Sequence, residues 1–201
     1  MTTAVILAAG ESKRIPNQNK LLSLVDGVAI LIHSVTTILR AGISDVIVVT
    51  GHEANPVRHA LSNYAVRFAH NADYRDGMST SLRVGLRSVS PKSNSALICL
   101  GDMPGIRAQS IRMLVQAFDP EQPRICVPIY AGNRGHPVLW PAIFFPEMMM
   151  ISGDRGARHL LVRNKDAVAR VPVPDANILT DVDTPDDLHR VRRDWPLEGR
   201  S

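Results

Sequence analysis

Short β-branched runs alternate with longer stretches of helical spacing along most of this chain, and few folds accommodate that rhythm. AVILAA (4–9) predicts a first strand, and VAILIHSVTTILRAG (28–42) predicts a helix. Ile30, Ile38 and Leu39 hold apolar positions of that helix, and Gly42 stands where a C′ residue belongs. DVIVVTG (45–51) is apolar almost throughout, as expected of a strand covered on both faces. VRFAH (66–70), SALICLGD (95–102) and RICVPIY (124–130) predict further strands, separated by helices near 53–63, 77–89 and 108–118. RGHPVLW (134–140), a helix near 154–164, an apolar stretch at 168–173 and a last helix from about 185 complete the chain. Such alternation predicts an α/β fold, Rossmann-like, with a mainly parallel sheet and helices on both faces. With 201 residues and no repeat or linker, one domain is expected.

This topology bears on function. In doubly wound sheets the first strand commonly lies beside the fourth, and the ligand crevice opens at their carboxyl ends. Here those ends are Gly10 and Gly101-Asp102. After Gly10 the sequence gathers Lys13, Arg14 and Lys20. Ala8, Ala9 and Gly10 carry little side-chain bulk, so backbone N–H groups there can approach phosphate oxygens. Arg14 offers a bidentate fork and Lys20 a mobile point charge. A tight turn followed by solvated cations is the plain alternative. The stretch is neither a GxxxxGK[ST] loop nor GxGxxG, whose second and third glycines are missing.

Asp102, in CLGDMPGI, suits Mg²⁺, which takes one or two protein carboxylates together with phosphate oxygens; an Asx-type turn is the alternative. In TDVDTPDDL (180–188), Thr184, Pro185 and Asp187 fit N-cap, N1 and N3 of a capping box. Capping leaves Asp181 and Asp183 unaccounted for. They share a face of an extended segment, and one of them would complete a metal site. In NADYRDGMSTSL (71–82), Gly77, Ser79 and Ser81 open a helix whose N–H and hydroxyl groups suit a nucleobase edge, with Ser79 equally fit to be an N-cap. NRGHPVLW, with Arg134 and His136, and GDRGARHLL, with Asp154 near a helix start, are either second phosphate sites or turn chemistry. His33, His59 and His189 read as packing or solvent residues, as do the MMM triple (148–150) and the charged face of HRVRRDW (189–195).

Composition narrows the partners. The excess of 23 Lys and Arg over 19 Asp and Glu gives a net charge of +4, compatible with a phosphorylated small molecule. Aromatic residues make up only 4%, too few for a base-stacking nucleic-acid surface, and no apolar run reaches membrane-spanning length. AVILAA lacks a charged leader, so no signal peptide is expected. Cys99 and Cys126 each sit in an apolar run, without CxxC spacing, and read as reduced packing residues. A cytoplasmic location follows as the expectation.

Taken in order, LAAGESKR…NKLL, NADYRDGMSTSL, LGDMPGI, RGHPVLW, GDRGAR and DVDTPDDL closely resemble the molybdenum cofactor cytidylyltransferases. These belong to the molybdopterin nucleotidyltransferase-like group with a glycosyltransferase A-type fold, and the likeness runs from about residue 4 to residue 190. It implies Mg²⁺-dependent transfer of CMP from CTP to the terminal phosphate of molybdopterin, with release of pyrophosphate. It further implies that Leu7, Ala8, Ala9, Gly10, Arg14 and Lys20 bind the triphosphate, with Arg14, Lys20 and Asp102 catalytic. Gly77, Met78, Ser79 and Ser81 would border the base, and Asp102 with Asp183 would hold the metal. A nucleotide-binding half of about 1–105 and an acceptor half of about 106–195 are expected. A molybdoenzyme or its chaperone would receive the product. LAAG, rather than LAGG, resembles the cytidine-using branch. Where the family has Met-Gly after the Arg, this chain has Ile15-Pro16. Proline lacks an N–H, so nucleotide binding is expected to be weakened rather than abolished. A GTP-using relative, a relative with another phosphorylated acceptor, and a non-catalytic nucleotide or cofactor carrier are the competing readings.

Overall fold

The computed structural model describes residues 1–11, 19–153 and 156–194. In chain order the strands are β1 (Thr2–Ala8), β2 (Leu24–Val25), β3 (Val28–Ala29), β4 (Val46–Thr50), β5 (Arg67–His70), β6 (Ser95–Leu100), β7 (Ile125–Tyr130), β8 (Asn133–Arg134), β9 (Val138–Pro141) and β10 (Val168–Pro172). The helices are α1 (Ile30–Arg40), α2 (Ala54–Ala60), α3 (Met78–Arg87), α4 (Ala108–Ala117), α5 (Phe145–Met149), α6 (Arg158–Arg163) and α7 (Pro185–Asp194).

One sheet dominates, in the order β10-β7-β9-β6-β1-β4-β5, with β8 paired to β7. β1 lies between β4 and β6, parallel to both, as the strand alternation predicts. Its alternating side chains feed two cores. Ala4, Ile6 and Ala8 join Leu31, Val35 and Ile38 of α1 and Leu114 of α4 on one face. Val5 joins Ile47, Val49, Leu82 and Leu86 on the other. A strand clad on both faces is why the sequence runs apolar without interruption.

Three local departures from the sequence reading have physical causes. The chain at 28–42 does not begin as a helix. Val28 and Ala29 pair antiparallel with Leu24 and Val25 across Asp26-Gly27, both at positive φ (49° and 75°), and α1 starts only at Ile30. That Asp-Gly pair is a two-residue hairpin signal within the chain itself. RGHPVLW yields β9, the strand that runs antiparallel between β6 and β7. It is four residues long and follows a proline, too short for a periodicity to declare itself. Ser79 is not an N-cap: that position belongs to Gly77 (φ +103°), and Ser79 lies buried in the first turn of α3.

The expectations for Gly42, the α7 box and the two cysteines hold. Gly42 sits at φ +91° after α1. The box at α7 forms as read, with Asp187 Oδ2 accepting from the Thr184 N–H (2.9 Å) and Thr184 Oγ1 accepting from the Asp187 N–H (3.1 Å). Cys99 and Cys126 are free and buried, and burial pushes both thiols up, that of Cys126 to about 11. Among the described residues no helix is long and apolar enough to cross a membrane.

α3 is held against β1 by Gly85. A Cβ there would lie 2.4 Å from Val5 Cγ1 and 3.1 Å from Val49 Cγ2. Gly85→Ala is therefore expected to destabilise the protein by about 1–3 kcal/mol, measured by urea unfolding.

Candidate functional site

The site begins where β1 and β6 end. Leu7 and Leu100 are register partners, and the Gly101 N–H donates to the Leu7 carbonyl at 3.0 Å. A Cβ on Gly101 would meet that carbonyl oxygen at 3.1 Å, so glycine permits the close approach. Asp102 follows directly. Its carbonyl accepts from the Val182 N–H at 3.0 Å, which ties the segment before α7 to the end of β6. Asp102, Asp181 and Asp183 each then offer a carboxylate oxygen, all within 4.8 Å of one another.

Lys20 enters this cluster from a single 3₁₀ turn, Lys20–Leu22, capped by the Asn19 side chain, which accepts from the Leu21 N–H at 3.0 Å. Its Nζ donates to Asp102 Oδ2 at 2.6 Å and to Asp183 Oδ1 at 2.7 Å. These partners lie 82 and 163 positions away in the chain. Burial alone would lower the Lys20 pKa, but the carboxylates of Asp102 and Asp183 outweigh it and raise it. The ammonium is therefore charged at neutral pH. Asp181 is raised, first by burial and then by the charges of Asp102 and Asp183. Three carboxylates against one ammonium leave an excess of negative charge. Asp102 Oδ1 is buried without a hydrogen-bond partner among the described residues. Hard oxygen donors, surplus negative charge and an unsatisfied carboxylate oxygen suit a divalent cation.

A cleft of about 500 Å³ opens in front of this cluster. Leu7, Ala8, Ala9 and Gly10 line it, as do Lys20 and the three aspartates. Nothing lies within 4 Å of where a Gly10 Cβ would stand, so packing does not demand glycine there and the space is open. Gly77, Met78 and Ser81 line the same cleft. Ser79 does not: it is buried, and its N–H donates to the Gly153 carbonyl at 3.2 Å. Arg14, with Ile15-Pro16, lies outside the described residues, as does Asp154. The site residues expected from sequence otherwise converge.

Of the two aspartates left open by the sequence, both join Asp102, rather than one of them alone. The structure also adds residues that pattern reading did not select. Tyr74, Arg75 and Glu11 also line the cleft, and Arg75 Nε donates to Glu11 Oε1 at 2.9 Å. Nothing in NADYRDG marks that contact, since 64 positions separate the pair.

A second cavity of about 420 Å³ adjoins the cleft, sharing Leu7, Met78, Leu100 and Asp181 with it. Ile98, Val127, Val138 and Trp140 give it an apolar lining, interrupted by His136. Gly135 sets that histidine's place, because a Cβ there would meet the Ile178 carbonyl oxygen at 2.3 Å, and the His136 N–H donates to the same carbonyl at 2.9 Å. Burial lowers the His136 pKa against the opposing pull of Asp102 and Asp181, so the ring is neutral at pH 7. Its Nδ1 is buried with no partner among the described residues.

The chain is similar to several known proteins. Nicotine blue oxidoreductase of Paenarthrobacter nicotinovorans is 29% identical over 94% of this chain and 95% of its own length. Molybdenum cofactor cytidylyltransferase of Escherichia coli (strain K12) is 27% identical over 92% of each chain. The structure of Rv0371c of Mycobacterium tuberculosis H37Rv in complex with manganese superposes with a TM-score of 0.80 at 29% identity, covering 96% of this chain and 98% of that one. The fold is that of the glycosyltransferase A-type nucleotidyltransferases, as the motif order implies. The model of the MobA-like NTP transferase domain matches residues 4–168, and on that match the chain belongs to the MobA-like NTP transferase family.

Proposed function

We propose that this nucleotidyltransferase moves CMP from CTP to the terminal phosphate of molybdopterin, with Mg²⁺, and releases pyrophosphate. The observation that carries the reading is the meeting of Asp102, Asp181, Asp183 and Lys20 beside the Leu7–Gly10 turn. The name of the 27%-identical cytidylyltransferase and the LAAG form support the choice of CTP and of acceptor. The 29%-identical oxidoreductase does not redirect it. The turn after β1 lacks the glycines of a dinucleotide fingerprint, and β4 ends on Thr50-Gly51 rather than on an acid that would hold a ribose hydroxyl.

Attack by one phosphate on the α-phosphorus of another is opposed by repulsion between anions. The protein therefore supplies alignment and charge neutralisation rather than a general base, since the attacking phosphate is already ionised. Asp102 and Asp183 would hold the divalent ion, with Asp181 beside them, and the bound ion would act as a Lewis acid on the phosphoryl oxygens. Lys20 would leave the carboxylates for the triphosphate and, with Arg14, balance the charge of the departing pyrophosphate. The backbone of Leu7, Ala8, Ala9 and Gly10 lies against the phosphates in this reading. Gly77, Met78 and Ser81 border the base, while Ser79 contributes through the first turn of α3. The part up to about residue 105 serves the nucleotide and the part from 106 to about 195 the acceptor. A cytoplasmic setting, and a molybdoenzyme or its chaperone as recipient of the product, complete the proposal.

Asp102→Asn is expected to lower turnover by about 10³-fold, a loss of several kcal/mol in transition-state stabilisation. A pyrophosphate-release assay comparing CTP, GTP and ATP with molybdopterin checks this, and preference for GTP would transfer the assignment to the sister activity. Lys20→Met should raise the KM for CTP yet tighten Mn²⁺ binding in the absence of nucleotide, because the ammonium occupies the oxygens a cation needs. Mn²⁺ titration followed by electron paramagnetic resonance reads the second effect.

The pH dependence has a definite sign. A raised Asp181 pKa means that this carboxyl takes up a proton earlier on acidification than an ordinary aspartate. Mn²⁺ affinity should therefore begin to fall at a higher pH than three ordinary aspartates would give, and Asp181→Asn should remove that early part of the decline.

A further inference from the structure

Ser81, in the first turn of α3, lines the nucleotide cleft, and behind it stands a buried side chain that the sequence does not mark. Asn71 follows directly on β5, is 1% exposed and does not line the cleft. Its backbone N–H donates to the Thr50 carbonyl at 2.7 Å, which fixes the residue at the end of the sheet. Its side-chain amide makes three further hydrogen bonds. Oδ1 accepts from the Asp73 N–H at 3.1 Å, while Nδ2 donates to Thr80 Oγ1 at 2.8 Å and to Ser81 Oγ at 2.9 Å.

The backbone settles the direction of these bonds. A peptide N–H only donates, so the Asn71 atom facing Asp73 is the oxygen and the one facing the two hydroxyls is the NH₂ group. Both hydrogens of that group are then spent, one on each hydroxyl. Thr80 has a place for its own hydrogen, since the Gly77 carbonyl at 2.8 Å and the Asp73 carbonyl at 3.0 Å both face it. Ser81 has none: among the described residues no acceptor takes its O–H. Ser81 is 5% exposed, and the space it borders is the cleft. A buried hydroxyl with an oxygen lone pair engaged from behind therefore presents its hydrogen forward.

We propose that Asn71 is a positioning residue for nucleotide selection: it sets Ser81 as a hydrogen-bond donor, and Ser81 delivers that hydrogen to an acceptor atom of the nucleobase. A freely rotating serine would serve a donor or an acceptor equally well. Held by Asn71, it favours a base that offers a carbonyl oxygen or a ring-nitrogen lone pair at that place, and cytosine carries the two side by side. A base edge presenting only N–H groups there sets donor against donor, which selects by repulsion as well as by attraction. That the base lies at α3 rests on the reading given under Proposed function.

The test measures nucleotide binding to the full chain by calorimetry, with Mg²⁺ and without acceptor, so that no turnover intervenes. CTP, GTP and ATP are compared on the wild type. The tightest binder is then carried through Ser81→Ala, Asn71→Leu and the double variant. Each single change is expected to weaken binding about fivefold, the loss of one hydrogen bond to a neutral group. The double variant should be within twofold of Ser81→Ala, because Asn71 acts through that hydroxyl. Inorganic tripolyphosphate, which has no base, should bind all four proteins alike. The wild type supplies a reading free of any Asn71 substitution. One of the two Asn71 Nδ2–H signals in the NMR spectrum should shift as nucleotide saturates the cleft, and Ser81→Ala should abolish that shift.

Unchanged nucleotide affinity in Ser81→Ala overturns the proposal, as do Nδ2–H signals that stay still in the saturated wild type. Additive losses in the double variant overturn it too, since they reduce Asn71 to a support of the fold. A parallel loss of tripolyphosphate binding does the same by moving the contact to phosphate. Tightest binding of GTP with the Asn71–Ser81 coupling intact removes the CTP assignment and upholds the positioning role.

Discussion

Three carboxylates within 4.8 Å repel one another, and in this chain one ammonium group offsets that repulsion by bonding two of them. Lys20 reaches Asp102 and Asp183 with short hydrogen bonds, and the rest of the architecture serves that meeting. β1 must lie beside β6 so that the Gly10 turn and Asp102 open on the same edge. Gly101 must lack a side chain so that Asp102 can leave β6 tight against Leu7. The Val182 N–H must reach the Asp102 carbonyl so that Asp181 and Asp183 arrive together. An ammonium at that point neutralises charge without satisfying every oxygen: Asp102 Oδ1 has no hydrogen-bond partner among the described residues. The arrangement is stable enough to form and still short of positive charge.

The carboxylate cleft shares Leu7, Met78, Leu100 and Asp181 with an apolar cavity beside it. His136 lines that cavity and is neutral because burial disfavours its charged form. Its placement depends on Gly135 lying against Ile178, a contact between distant segments.

Much of this was legible from residue order. The continuous apolar runs declared a sheet covered on both faces, and the strand count placed Gly10 opposite Asp102 before any coordinates. Thr184, Pro185 and Asp187 announced the start of α7 because capping is a local interaction over four residues. The Asp26-Gly27 hairpin was equally local, but the helical pattern that follows it hid it. Ser79 misled for a related reason: serine suits an N-cap, yet Gly77 at φ +103° ends the extended chain two residues earlier.

The sequence by itself determined the elements, their layering and the residue types at the ends of the first and fourth major strands, because periodicity and capping act within a few residues. Only the tertiary structure decided that Asp181 and Asp183 both join Asp102, that Lys20 bridges two of them, and that β9 runs against its neighbours. Those outcomes depend on Coulomb forces and backbone hydrogen bonds between segments up to 163 positions apart, and a distance in space of that kind leaves no periodic trace along a chain.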